Sequence, residues 1–379
     1  MKSAVLLPIT NIIPIIFLIY GIKTLKNELL ENQFELSKTI FIHTNIQVET
    51  EELFFLSNLN GKHVLSLFDL PLITNFLIKI PKQKETGKRL VISTIVSHHY
   101  NDTLYKCLMS AMHSGVNPSE FLIFALDEHV HNFCESIGIF SVILNYQKLY
   151  EHSWFVVGRL KQAIQYFINC CNCDLIFFDS DIVFTDNFKK ILLECPDSPD
   201  IQIMDEKHNP RSEVDMKDIG LYNIGFMFVR SSPQTRHFFR KWLYSEYTND
   251  LHLWDQGIFN YVMISDSPRI YTDTENKSIV YQTEFQNRTE NVRIHILNPL
   301  LFINYCNLIV KEENSFDAMK MMNLIRWAAN NNYIRPVLVH YACVEGSLKL
   351  GLMRISEYQN VNYQYFFDLF SNYTWKVTQ

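Results

Sequence analysis

Glycine and proline are scarce in this chain, 11 and 12 of 379 residues, and no stretch repeats at a fixed period. Solenoid, collagen-like and low-complexity architectures are thereby excluded. A dense run of Lys or Arg is also missing. With 34 Lys+Arg against 40 Asp+Glu and a net charge of −6, the electrostatic footprint that nucleic-acid binding requires is absent, and no nucleic-acid partner is expected. The chain is not poor enough in apolar residues to be disordered, since 47% are hydrophobic and 14% aromatic. Its length suits two domains, or one large α/β domain with an appended segment, and either buries a full core without staples.

The eight cysteines (Cys107, Cys134, Cys170, Cys171, Cys173, Cys195, Cys306, Cys343) permit disulfides in an oxidising compartment but fix no connectivity. Cys170-Cys171-x-Cys173 lacks a second Cys or His pair at finger spacing, so it reads as helix-end packing or a disulfide partner, not as zinc.

Charge is absent from residues 3–22 (SAVLLPITNIIPIIFLIYGI), close to the ~20 residues of a bilayer-spanning helix. A cleaved signal peptide is the competing reading, but small residues at the −3 and −1 positions of a cleavage site are hard to find after Phe17, which favours an uncleaved anchor. Pro8, Asn11 and Pro14 weaken the span only slightly, because proline is tolerated in membrane helices. Lys2 on one side and Lys23 and Lys26 on the other leave the orientation open. Four Asn-x-Ser/Thr triplets follow, at Asn101, Asn276, Asn287 and Asn372. They are glycosylation acceptors only if the body of the protein enters the secretory pathway.

Residues 23–86 mix charged helix-like stretches with apolar runs and end in the polar PKQKETGKR; they are expected to form a partly folded stem. From Leu90 the pattern changes. LVISTIV reads as a buried strand, LYKCLMSAMHSG as a helix closed by Gly115, FLIFAL as a second strand, HVHNFCESIG as a helix and FSVIL as a third strand. VGRLKQAIQYFINCC is the next helix and feeds DLIFF, the most apolar strand. Such alternation implies an α/β fold with a parallel sheet and crossover helices. Ligands in open parallel sheets sit beyond the carboxyl ends of the strands.

Immediately after DLIFF comes Asp179-Ser180-Asp181, the only Asp-x-Asp in the chain. Two carboxylates two apart in an extended segment point the same way and can reach one cation. A hard divalent ion held there can bridge the phosphates of a nucleoside diphosphate and neutralise the charge that builds on a leaving group. About one such triplet is expected by composition in a chain of this length, so its position, and not its existence, is informative. FFDSDIVF is also similar to the first motif of haloacid-dehalogenase-like phosphatases, in which the first Asp is a nucleophile. That site needs a later Gly-Asp or Asp-Asp, and the sequence has neither.

Further blocks follow in order: IGLYNIGFMFVRSSPQTRHFFRKWL, LHLWDQGIFNYVM and RPVLVHYACVEGSLKLGLMR. With the Asp-x-Asp strand, these blocks resemble the nucleotide-diphospho-sugar transferase family, Golgi-type glycosyltransferases of GT-A fold, over roughly residues 88–358. The matching positions are Lys161, Asp179 and Asp181, Asn223 and Gly225 with Arg230, Asp255-Gln256, and His340 with Gly346 and Lys349. Gly351-Leu352-Met353 departs from the family's Gly-Leu-Trp.

The resemblance implies an anchor over 1–22, a stem over 23–86 and a GT-A-like glycosyltransferase domain over 87–379, with a mostly parallel central sheet flanked by helices, in a type II protein of the Golgi membrane with its catalytic domain in the lumen. It implies Mn²⁺ or Mg²⁺ on Asp179, Asp181 and His340, and a donor site of Thr94, Asp127, Lys161, Asn223, Gly225, Gly346 and Lys349. Asp255 and Gln256 would serve the reacting sugar, Asp255 by stabilising an oxocarbenium-like transition state. The implied partners are a nucleotide-sugar donor, UDP-linked by the resemblance, and a glycan or glycoprotein acceptor, with retention of configuration. Read without the family, His340 is a structural histidine, Asn223 and Gly225 a turn, Asp255 a helix cap, Lys161 a helix anchor and Lys349 a solvated lysine. Trp154 and Trp242 read as core. The competing class is a non-catalytic glycan-binding or scaffold member of the same fold.

Overall fold

A computed structural model describes residues 35–41, 48–57, 64–144, 154–195, 198–206, 222–248, 254–264, 269–273, 278–299, 301–305, 336–342 and 349–353, together with 32, 46 and 59. From Arg89 to Phe178 the chain folds by the expected alternation. β1 (Arg89–Val96), α3 (Asn101–His113), β2 (Phe121–Ala125), α4 (Glu128–Ser136), β3 (Ser141–Ile143), α5 (Trp154–Cys170) and β4 (Cys173–Phe178) follow one another; the helices that precede them include α1 (Thr50–Ser57) and α2 (Leu70–Lys79). Gly115, expected to close α3, has φ +98°, a conformation only glycine takes without strain.

The remaining elements are β5 (Ile182–Phe184), α6 (Phe188–Leu193), β6 (Ile201–Asp205), β7 (Tyr222–Val229), α7 (Pro233–Tyr247), α8 (Asp255–Ile264), β8 (Arg269–Asp273), β9 (Ser278–Phe285), β10 (Arg288–Ile296), β11 (Phe302–Asn304) and β12 (Leu338–His340). A nine-stranded sheet has the order β3-β2-β1-β4-β7-β6-β10-β9-β8. Its pairings leave only β7 and β9 running against the other strands. The three-stranded sheet β11-β12-β5 packs beside it. The Phe178, Phe184, Phe226 and Phe302 rings, with centroids 5.8–6.1 Å apart, join the two sheets.

Alternating residues of β1 divide the core. Val91 and Ile95 face one apolar cluster, and Leu90, Ile92 and Val96 face the other, as the period of two along a strand requires. The sheet is therefore covered on both faces.

The stretch expected as a stem contributes directly to the first cluster. Leu53 and Leu56 of α1 and Ile73, Phe76 and Leu77 of α2 share it with α5 and α7 residues such as Tyr166 and Trp242. A buried ion network fastens α1. Glu52 is 2.7 Å from Arg240 and accepts a hydrogen bond from the Tyr166 hydroxyl, while Glu51 pairs with Arg240 at 2.7 Å. The apolar positions of α1 and α2 dock these helices on the core, and Glu52, buried among them, ties α1 to α7 through Arg240. Trp242 is fully buried, as expected. The Trp154 side chain, the uncharged stretch 3–22 and the triplets at Asn276 and Asn372 lie outside the described residues. Among the described residues no helix is long and apolar enough to cross a membrane. Cys107, Cys134, Cys170, Cys171 and Cys173 are buried thiols, and the last three pack at the α5–β4 junction.

Candidate functional site

The carboxyl ends of β1, β2, β4 and β6 and the amino end of β7 meet at one edge of the large sheet, and the Asp-x-Asp lies there. Asp179 leaves β4 with its N–H donated to the Gly225 carbonyl (2.7 Å), and Asp181 enters β5 with its carbonyl accepting from Tyr341 N–H (3.0 Å). The triplet is thus a tight connection between the two sheets, not the extended segment expected. The carboxylates converge because one is fixed to each sheet. Ser180 between them is steadied by α3, its Oγ 3.4 Å from Thr103 Oγ1.

The small sheet supplies the third member. His340 is paired in register with Ile182 on one side and Asn304 on the other, so β12 holds its imidazole against the aspartates. Nε2 is 3.2 Å from Asp181 Oδ1 and 3.9 Å from Asp179 Oδ2. One ligand atom from each of Asp179, Asp181 and His340 falls within 4.8 Å of the other two. Gly225 makes the room. A Cβ there would lie 2.2 Å from His340 Cε1 and 2.9 Å from Nδ1, so only glycine lets the ring occupy this place. Asn223 and Gly225 are not a turn but residues inside β7. Two carboxylate oxygens and one imidazole nitrogen, each presented by rigid backbone, suit a divalent cation such as Mn²⁺ or Mg²⁺.

Two lysines flank the carboxylates. Lys161 of α5 is 2.6 Å from Asp179 Oδ1 and 3.5 Å from Asp255 Oδ2 at the start of α8; Lys349 is 2.6 Å from Asp181 Oδ2. Burial alone would raise the Asp181 carboxyl, but His340 and Lys349 beside it hold it well below the usual carboxylate range. Burial pushes Asp179 up, and the neighbouring Asp181 charge adds to that against the pull of Lys161 and His340. Burial works against the charged forms of Lys161 and His340, yet the aspartates raise both. The cluster therefore holds fixed charges of both signs in a partly desolvated place, where they act more strongly than in water.

Glu206, which follows β6, belongs to the same edge and was not singled out from the sequence. It is buried, and a single carboxylate oxygen accepts from Asn223 Nδ2 (2.8 Å) and from Gln256 Nε2. Burial raises its pKa against those two hydrogen bonds. The other ends of both amides are also engaged. Asn223 Oδ1 accepts from Gly225 N–H (2.9 Å), and Gln256 Oε1 accepts from Ile224 N–H (3.3 Å). Gln256 is thereby a brace between α8 and β7. No local pattern marks Glu206; an acidic residue at the end of a strand alternating apolar and polar is the only signal.

Thr94 lies near the end of β1 and Asp127 two residues beyond the end of β2, at the same edge of the sheet. Asp127 caps α4 through Val130 N–H (3.1 Å) and accepts from His98 N–H (2.8 Å), with the His98 ring 3.1 Å away. Burial would raise its carboxyl, but these donors lower it. Thr94 is 1% exposed inside β1, beneath the surface and not on it. His98, His99 and Tyr100 are the residues that stand exposed beyond β1. Gly346 lies outside the described residues.

The model of the nucleotide-diphospho-sugar transferase family matches residues 117–350. No curated protein matches the chain. Among solved structures, galactosyltransferase LgtC with donor and acceptor sugar analogues is similar at 13% identity, over 71% of this chain and 96% of that one, with a TM-score of 0.41. Mouse xyloside xylosyltransferase 1 is similar at 13% identity, over 67% and 98%, with a TM-score of 0.36. A glycosyltransferase involved in glycosylation of the major capsid of PBCV-1 is similar at 11% identity, over 70% and 99%, with a TM-score of 0.34.

Proposed function

Because the chain belongs to the nucleotide-diphospho-sugar transferase family and is a glycosyltransferase, we propose that it moves a sugar from a UDP-linked donor to a hydroxyl of a glycan or glycoprotein, with retention of configuration. The observation that supports this most directly is the convergence of Asp179, Asp181 and His340 between two lysines. These three residues would hold Mn²⁺ or Mg²⁺, which supplies a Lewis acid for the diphosphate. Lys349 adds a point charge for the leaving phosphate. Lys161 holds Asp179 and Asp255 in one arrangement, so that Asp255 faces the reacting sugar with its carboxylate oriented. Asn223 and Gly225 form the floor under the donor sugar, with the Asn223 amide fixed by Glu206. We assign no general base, since in a retaining reaction the acceptor proton can pass to the leaving phosphate.

We also propose that the domain faces the Golgi lumen, carried by an uncleaved type II anchor over residues 3–22; the absence of charge across that stretch supports this.

The reaction is tested with the fragment from about residue 30, produced in a secretory host and offered a panel of UDP- and GDP-sugars with Mn²⁺. Release of nucleotide from one donor is expected, abolished by chelator and by Asp181→Ala in protein that remains folded. Full activity of Asp181→Ala would overturn the assignment.

A further inference from the structure

The fold discriminates between the Asn-x-Ser/Thr triplets, and we propose that Asn287 is an N-glycosylation acceptor whereas Asn101 is not. This rests on the lumen-facing orientation given above. Asn287 is the second residue of the two-residue turn that joins β9 to β10, with Phe285 and Arg288 paired across it. Gln286 and Asn287 have φ values of +50° and +62°, the left-handed pair that closes a tight hairpin and that Asn accepts better than other non-glycine residues. Residues 286–289 are all exposed, so the Asn287 amide and the Thr289 hydroxyl two residues on both face solvent. Arg288 is tied to Glu51 of α1 at 3.1 Å, which holds the turn against the body of the protein.

Topology puts this turn far from the candidate site. β10 runs parallel to β6, hence in the direction of β1, β2 and β4, and the turn enters β10 at its amino end. The carboxylates stand beyond the carboxyl end of β4. An oligosaccharide on Asn287 therefore extends from the opposite end of the sheet and leaves donor and acceptor access open.

Asn101 has the opposite surroundings. It is the first residue of α3, half-buried, with its Oδ1 enclosed and without a partner among the described residues. The hydroxyl its triplet needs is on Thr103, which is 9% exposed, donates to the Tyr100 carbonyl at 2.8 Å and touches Ser180 of the Asp-x-Asp. A glycan there would stand beside the carboxylates.

In the modification, Asn287 Nδ2 forms a bond to the anomeric carbon of a lipid-diphosphate-linked oligosaccharide. The bond from that carbon to the diphosphate oxygen breaks, the lipid diphosphate leaves with the electron pair, and the amide gives up one proton to solvent.

The experiment uses the full chain in a eukaryotic secretory host, with protease protection of intact vesicles, endoglycosidase mobility shift and site-resolved peptide mass spectrometry. Asn287→Gly, which keeps the left-handed turn, and Thr289→Ala, which leaves the turn residues untouched, are each expected to remove one glycan without changing nucleotide release. Asn101→Gln is expected to remove none. A protease-protected, active chain with unmodified Asn287 overturns the proposal and leaves the lumenal orientation standing. A chain digested from the cytosolic side overturns both, and an active chain glycosylated at Asn101 overturns the discrimination between the two positions.

Discussion

Gly225→Ala tests the geometry of the candidate metal centre through one carbon atom. The added methyl would lie 2.2 Å from His340 Cε1, where ordinary contact begins at 3.4 Å, so the ring must retreat by about 1.2 Å, several times the ~0.2 Å over which a metal–ligand distance is tolerant. His340 has little freedom to accommodate this. Its backbone is paired on both sides within the small sheet, and its side chain is 3% exposed. The neighbouring Asn223 Oδ1, 2.9 Å from the same Cβ, blocks retreat of the methyl. Displacing one of three protein ligands is expected to weaken Mn²⁺ binding by ~10- to 100-fold, or ~1.4–2.8 kcal/mol. Overpacking of the strand costs about 1–3 kcal/mol of stability. Titration calorimetry with Mn²⁺ measures the first quantity and thermal unfolding the second. Gly351→Ala is the control, because nothing lies within 4 Å of a Cβ there. Wild-type Mn²⁺ affinity in folded Gly225→Ala would refute the placement of His340 in the centre.

Glu206→Gln leaves one carbonyl oxygen that can accept from both amides but removes the charge that strengthens these two hydrogen bonds, so the brace is loosened. A fall of ~10- to 100-fold in donor kcat/KM with little change in melting temperature is expected, partly restored by Glu206→Asp, and an unchanged kcat/KM would show that the charge of Glu206 is dispensable to the brace. Burial raises Glu246 from the ordinary 4.5 to about 7. The folded state therefore keeps a proton that the unfolded chain has lost between those values. Stability contributed below pH ~4.5 is lost as pH rises to ~7, by about 3 kcal/mol, and denaturant unfolding of Glu246→Gln across this range is expected to lack that fall. A fragment of residues 87–379 loses the α1 and α2 side of the core and leaves Arg240 buried without Glu52, so it is expected to aggregate where a fragment from about residue 30 runs as a folded species in gel filtration; a folded, active 87–379 fragment would contradict the packing of α1 and α2.

The alternation of strands and helices from β1 to β4, and the position of the Asp-x-Asp beyond the most apolar strand, were legible because both are local. Periodicity over five to seventeen residues fixes an element, and the last apolar residue marks where a buried strand ends. That α1 and α2, within the expected stem, pack into the core was less legible for a related reason. A helix whose charged face is solvated and whose apolar face is docked has the same pattern whether it spaces two regions or covers a sheet.

What the sequence by itself determined is therefore the chemistry available: one carboxylate pair, a histidine with a lysine nine residues on, a chain without the charge or repeats of other classes. Only the tertiary structure decided which of these groups meet. Lys349 and Asp181 are 168 positions apart yet form a contact, because β12 returns to pair with the strand that Asp181 opens. Glu206 enters the site only because β6 and β7 are adjacent. Gly225 matters only because the His340 ring crosses it. Such contacts are set by strand pairing across long loops, where free energy depends on what the whole core buries and not on any short run of residues.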